Sequence, residues 1–246
     1  CPRFDFMYNK KPCEECLTKG YRTCIKKRCV KGSLFASVVR VFSMKVHKAM
    51  NVYKGVDAFI TPSEFLKKKL IENGFDENKI TCIPTFTASK SEVGKPQVGT
   101  YGLYFGRVTE EKGVDTVVKA YEMMPDRHVK IMGDDTTDEA KRLKAYIKEK
   151  KIQNVEFLGF KAGEELEEII KGARFTLIPS IWYDNLPNTA LESFQYSKPV
   201  IASNIGSLPE LVLDGVNGYL FKPADAQELC EKVALQDDNA LVEKMG

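Results

Sequence analysis

The feature that most narrows what this 246-residue chain can become is an apolar strand running into a polar loop, a helix and a second strand. Residues 175–178 (Phe-Thr-Leu-Ile) have the length and composition of a buried strand, and Pro179 ends the run. Residues 180–188 hold an aromatic pair, an acid, two amides and a proline, which is loop chemistry. Residues 189–194 read as a helix, stopped before Pro199, and 200–202 (Val-Ile-Ala) as another short strand. Such a unit places a helix N-terminus at the carboxyl edge of a parallel sheet, where open α/β sheets bind their ligands. A helix N-terminus in that crevice favours an anion, most often a phosphate.

The rest of the second half repeats the alternation. Strands are expected over 101–105, 128–133, 154–159, 173–179 and 218–221, with helices over 114–124, 138–151 and 164–172 and a closing helical region from Ala224. The pattern predicts an α/β protein with a doubly wound parallel sheet. The helix over 138–151 is so highly charged that it reads as a solvated face. After the first of these strands comes Gly106-Arg107, with Lys112-Gly113 shortly behind. A forked guanidinium and a compact ammonium at a strand's carboxyl end suit two adjoining phosphates. Asp184 in the loop and Glu192 in the helix lie eight positions apart. Read plainly, they are a loop acid and a first-turn acid stabilised by the helix dipole.

Taken together, these motifs change that reading. An acid, seven residues, then Glu192, set between Pro179-Ser180 and the run Lys198-Pro-Val-Ile-Ala-Ser-Asn-Ile-Gly-Ser-Leu-Pro-Glu-Leu-Val212, resembles the nucleotide-sugar site of retaining family 4 glycosyltransferases, the group 1 glycosyl transferases of two-domain GT-B type. The resemblance covers most of the chain from Val56 onward, with several separate motifs in the same order. It implies a Rossmann-like C-terminal donor domain over 101–246, a linker over 88–100, and a partial Rossmann-like N-terminal domain on the acceptor side over 1–87. It further implies that Arg107 and Lys112 grip the diphosphate and that Glu192 accepts from the ribose and Asp184 from the donor sugar. Gly106, Leu186, Asn188 and Thr189 would line the donor site, with Phe160 and Lys161 bordering the base. The co-substrate would be a UDP- or GDP-sugar, the acceptor a saccharide or a lipid-linked saccharide, with retention at the sugar and no metal required. The family usually has Glu where Asp184 stands, which puts the donor sugar in question. Trp182 and Tyr183 either wall the sugar or pack. Two alternatives share the architecture: a nucleotide-sugar binding module that never transfers, and a GT-B sugar-nucleotide epimerase.

Ahead of the linker, residues 56–60 and 79–84 read as strands around a helix over 64–73 that Ser63 caps and Gly74 closes. Residues 33–53 form a longer helix with Arg40, Lys45 and Lys48 among its apolar positions, which suits either packing or a peripheral contact with anionic lipid. Five cysteines crowd the basic opening segment. Cys13, Cys16, Cys24 and Cys29 are readable as a zinc set, as disulfides or as reduced thiols. A charge of +3 from 37 basic and 34 acidic residues gives no argument for nucleic acid. No apolar run approaches a membrane span and no secretory signal is visible, and we expect a cytoplasmic protein, either free or on the inner face of the membrane. The chain opens on Cys1 rather than Met, so we expect a fragment, able to bind donor but inactive in transfer by itself.

Overall fold

The computed structural model describes residues 1–3, 5–87 and 98–246. Most of the expected linker, 88–97, lies outside the described residues. The chain divides into two compact units, Cys1–Pro84 and Thr85–Gly246.

The first unit opens with a short antiparallel pair, β1 (Met7–Tyr8) and β2 (Lys11–Pro12), followed by α1 (Glu15–Thr18), α2 (Arg22–Lys26) and α3 (Leu34–Ala49). It closes with β3 (Phe59–Thr61), α4 (Glu64–Glu72) and β4 (Ile80–Cys82), where β3 and β4 pair in parallel. Ser63 caps α4 as expected, its Oγ accepting the Leu66 N–H at 3.1 Å. Helix α3 buries Ser37 and Val41 but leaves Phe35, Val39 and Phe42 exposed. No helix among the described residues is long and apolar enough to cross a membrane.

The zinc reading of the cysteines finds no support. All seven are free thiols, and no group of three or more His, Cys, Asp or Glu among the described residues is placed to hold a metal. Cys24 is fully buried, and burial, with Cys29 beside it, pushes its thiol up to about 11. That environment favours a protonated sulfur over the thiolate a metal needs.

The second unit carries β5 (Tyr101–Phe105), α5 (Val114–Glu122), β6 (Val129–Met132), α6 (Asp138–Lys150), β7 (Val155–Gly159), α7 (Gly163–Lys171) and β8 (Ala173–Ile178). Then follow α8 (Asn188–Gln195), β9 (Val200–Ser203), α9 (Leu208–Leu211), β10 (Gly218–Phe221), α10 (Ala226–Ala234) and α11 (Asn239–Met245). Its six strands form one parallel sheet in the order β10-β9-β8-β5-β6-β7. The chain therefore winds outward from β5 to β7, returns across β5 to place β8 on its other side, and continues to β10. Strand order reverses between β5 and β8, which pair Leu103 with Thr176 and Tyr104 with Leu177. The burial of the strands explains their places. Central β5 and β8 are almost wholly buried, while edge strand β7 is half-buried.

Helices tie down through specific side chains. Thr137 caps α6, its Oγ accepting the Ala140 N–H at 3.1 Å and donating to the Val108 carbonyl at 2.6 Å. Asn154, nearly buried, aims its Nδ2 at the carbonyls of Tyr121, Met124 and Arg127, at 2.7–2.9 Å, and so anchors the end of α5. Lys198 is only 2 % exposed, and its Nζ donates to the Lys171 carbonyl at the end of α7 at 2.6 Å. Burial lowers its pKa from 10.5 to about 8. The unfolded chain therefore holds a proton that the folded chain has released between those values, and stability rises with pH across that window. Lys198→Met removes this dependence. In urea titrations from about pH 7 to about pH 10 the parent should gain stability relative to the variant; a constant difference would contradict the assignment.

Candidate functional site

The site is built where strand order reverses. Two loops meet there, one leaving β5 and one leaving β8. The β5 strand ends at Gly106, whose φ of +144° only glycine adopts readily. Buried Tyr104 donates its phenolic proton to the Arg107 carbonyl at 2.6 Å and fixes the turn. Burial, with Asp184 and Glu111 nearby, raises the Tyr104 pKa well above its ordinary value, so the hydroxyl keeps that proton. A short 3-10 turn, Glu110–Lys112, leads to Gly113 in the left-handed region (φ +68°) at the start of α5.

Gly113 is where the loops touch. A Cβ there would lie 2.0 Å from the Pro179 carbonyl oxygen. Just beyond, the Ile181 N–H donates to the Glu111 carbonyl at 3.0 Å. This backbone seam brings Lys112 onto Asp184. The Lys112 Nζ lies 2.6 Å from Asp184 Oδ2, and the Ser180 hydroxyl donates to the same oxygen at 2.8 Å. The side chains are 17 % and 9 % exposed, so the pair is largely desolvated. Lys112 also stands 5.6 Å from the centre of the Trp182 ring. Tyr183 packs against the cluster of Ile178, Ala190, Val200 and Leu208. Of the two aromatics, Trp182 is therefore the one beside the charged pair.

Helix α8 begins at Asn188 behind Pro187 and has no side-chain cap at its N-terminus. It is held to β8 through Ser193, whose Oγ donates to the Thr189 carbonyl at 2.6 Å and accepts from Thr176 at 2.8 Å. The Thr189 methyl lies 3.9 Å from where a Gly106 Cβ would be, so the helix start stands over the β5 turn. Glu192 follows on the same helix, half-buried. Gly106 and Thr189 are thus neighbours across these loops, as are Lys112 and Asp184. Arg107 leaves the same turn with its side chain 66 % exposed and its Nη2 3.9 Å from Glu111.

Three expected residues stand differently. Leu186 buries its side chain and turns its N–H onto the Ser207 hydroxyl at 2.6 Å, into the protein. Phe160 and Lys161 follow edge strand β7, with β6 between them and the switch point. Phe160 is 76 % exposed, and Lys161 pairs with Glu165. Two cavities of about 250 and 510 Å³ open around Tyr101 and His128, where the strands begin rather than where they end, and take in none of these residues. Sequence reasoning missed Tyr104, Ser180 and Ser207. Only Ser180 carried a signal, its place just after the proline that ends β8.

The fold and the site thus define a doubly wound α/β protein with a buried lysine–aspartate pair where its strand order reverses. A profile described as "Glycosyl transferases group 1" matches residues 86–245, and the chain belongs to that family. It is 31 % identical over 168 residues to an uncharacterized glycosyltransferase of Methanocaldococcus jannaschii, covering 67 % of this chain and 46 % of that one. It is 28 % identical over 138 residues to a putative colanic acid biosynthesis glycosyltransferase of Salmonella typhimurium, covering 52 % and 34 %. The chain spans about half the length, or less, of the curated relatives it matches. Among solved structures, the Anabaena protein HepE in complex with UDP-glucose superposes with a TM-score of 0.70 at 19 % identity, covering 93 % of this chain and 74 % of that one. The second unit is the Rossmann-like domain of a GT-B protein.

The seam makes its own prediction. Gly113→Ala must displace the Pro179 backbone, whereas Gly215→Ala (φ +78°, open space around its Cβ) carries only the left-handed strain of about 1–2 kcal/mol. Urea unfolding should show the larger loss at Gly113. Equal losses would mean that the loops are not locked there.

Proposed function

We propose that this chain carries the donor site of a retaining glycosyltransferase that takes a UDP-sugar and glycosylates a hydroxyl of a saccharide or lipid-linked saccharide. The observation that supports this most is the Lys112–Asp184 pair, formed where the loops leaving β5 and β8 meet at the switch point. The uridine assignment draws on a GT-B structure solved with UDP-glucose, and the acceptor class on a relative named for colanic acid biosynthesis.

In this reading the diphosphate lies across the β5 turn. Lys112 and Arg107 meet its oxygens, and the first N–H groups of α8 add their dipole. Glu192 accepts from the ribose hydroxyls and Asp184 from hydroxyls of the sugar. Phe160 and Lys161, after edge strand β7 and so apart from the switch point, would meet only the base, at the far end of the nucleotide from the sugar. As the bond between the anomeric carbon and the β-phosphate oxygen breaks, negative charge builds on the departing UDP. Lys112, already held in place, and a helix N-terminus lower the cost of that charge because they need not reorganise to meet it, and Arg107 adds its charge by swinging in from solvent. The acceptor oxygen takes the vacated position on the same face of the sugar, and its proton leaves with UDP or to solvent.

The ion pair fixes what each acid should do. In Asp184→Asn the Lys112 charge is no longer neutralised by the protein, so free UDP should bind more tightly than to the parent, while any advantage from the attached sugar falls. Glu192→Ala should weaken UDP and UDP-sugar alike. Calorimetry with both ligands on both variants separates the roles. If Asp184→Asn and Glu192→Ala change the two affinities in the same way, the sugar role of Asp184 is wrong.

A further inference from the structure

The carboxylate of Asp184 is placed by its backbone. Aspartate has one methylene fewer than glutamate and two side-chain torsions, so a small shift of the main chain moves the charge almost one for one. The loop around it has little regular structure of its own, and Leu186 within it adopts a left-handed φ of +50°. What holds the loop comes from elsewhere in the chain, from the turn that follows β9.

Ser207 in that turn is completely buried. Its hydroxyl donates to the Asp184 carbonyl at 2.9 Å and accepts the Leu186 N–H at 2.6 Å. Its own N–H donates to the Asp184 carbonyl at 3.2 Å. Gly206, at φ +62°, lies directly under the same residue: a Cβ there would be 2.8 Å from the Asp184 carbonyl oxygen and 3.1 Å from its nitrogen. Two residues more than twenty positions away in sequence therefore set the main chain on both sides of the acid. Lys112 and Ser180 then orient the carboxylate itself, both at Oδ2. The same serine turns the Leu186 N–H away from the crevice.

We propose that Ser207 is a positioning residue for recognition of the donor sugar: by bridging the Asp184 carbonyl and the Leu186 N–H, it sets how far the Asp184 carboxylate reaches. This rests on the reading of Asp184 as the acceptor for sugar hydroxyls. A positioning role differs from a structural one in what it selects. Loss of fold stability would affect every ligand equally, whereas a displaced Asp184 affects only ligands that carry the sugar.

The test is calorimetry of UDP and of the tightest binder among UDP-glucose, UDP-galactose and UDP-N-acetylglucosamine, on the full chain. The variants are Ser207→Ala, Ser207→Cys and Asp184→Asn, with Asn154→Ala as a control that also loses buried hydrogen bonds, at the far end of α5. Ser207→Ala should weaken the UDP-sugar by about 10-fold, move UDP by less than about 2-fold, and so change their ratio. Ser207→Cys, a somewhat larger group that fills the site but weakens both bonds, should fall between it and the parent, and serves if the alanine variant does not fold. Asn154→Ala should leave the ratio unchanged. If Asp184→Asn shifts the ratio and neither Ser207 variant does, the Ser207 assignment is overturned and the reading of Asp184 stands. If Asp184→Asn leaves the ratio unchanged, both fall.

Discussion

The contact on which the site depends is between backbones: Gly113 lies so close to the Pro179 carbonyl that no side chain fits between them. Parallel strands β5 and β8 bring their loops out side by side, but adjacency alone would leave those loops free to part. The seam, closed by Gly113 and by the Ile181 N–H on the Glu111 carbonyl, removes that freedom. Only then can a lysine from one loop and an aspartate from the other meet at 2.6 Å. Such a pair, mostly withdrawn from water, is poor evidence of stabilisation, because desolvation offsets much of its attraction. In the proposed reading its value lies in what it prepares: a cation and an anion held at fixed positions ahead of the nucleotide sugar.

That preparation extends outward in layers. Tyr104 and Gly106 shape the turn that presents Arg107 and Lys112. Ser180 bonds the oxygen of Asp184 that Lys112 also meets, and Ser207 and Gly206 hold the main chain behind it. Ser193 and Thr176 hold α8 so that its N-terminus stands over the same turn. Arg107 is the exception, its side chain mostly in solvent. In the proposed reaction its charge must come to the diphosphate by side-chain motion, while that of Lys112 is already in place.

Much of this was legible in the amino-acid order, because it depends on local pattern. The apolar run before Pro179, the helix stopped before Pro199 and the Gly-Arg after β5 all lie in the elements expected of them. Helix α8 starts one residue earlier and ends one later than its periodicity suggests, an ordinary fraying of boundaries. What pattern could not show was pairing. Nothing local indicates that Lys112 meets Asp184, or that Ser207 supports it, because those contacts depend on which strands lie together in a parallel sheet. Spacing left the cysteines open between a zinc set, disulfides and reduced thiols for a related reason, and it is burial that makes Cys24 a packed thiol. Leu186, expected at the ligand through the family motif, directs its N–H into the protein because a serine occupies position 207.

The central claim is that Lys112, held by Asp184 at the switch point, meets the diphosphate of a nucleotide donor. The measurement that tests it most directly is calorimetric titration of uridine and UDP into the parent and into Lys112→Ala. Loss of one charge-assisted contact, about 1.5–3 kcal/mol, should weaken UDP by roughly 10- to 150-fold and leave uridine unchanged. If Lys112→Ala binds UDP as tightly as the parent, the diphosphate lies elsewhere and the account fails.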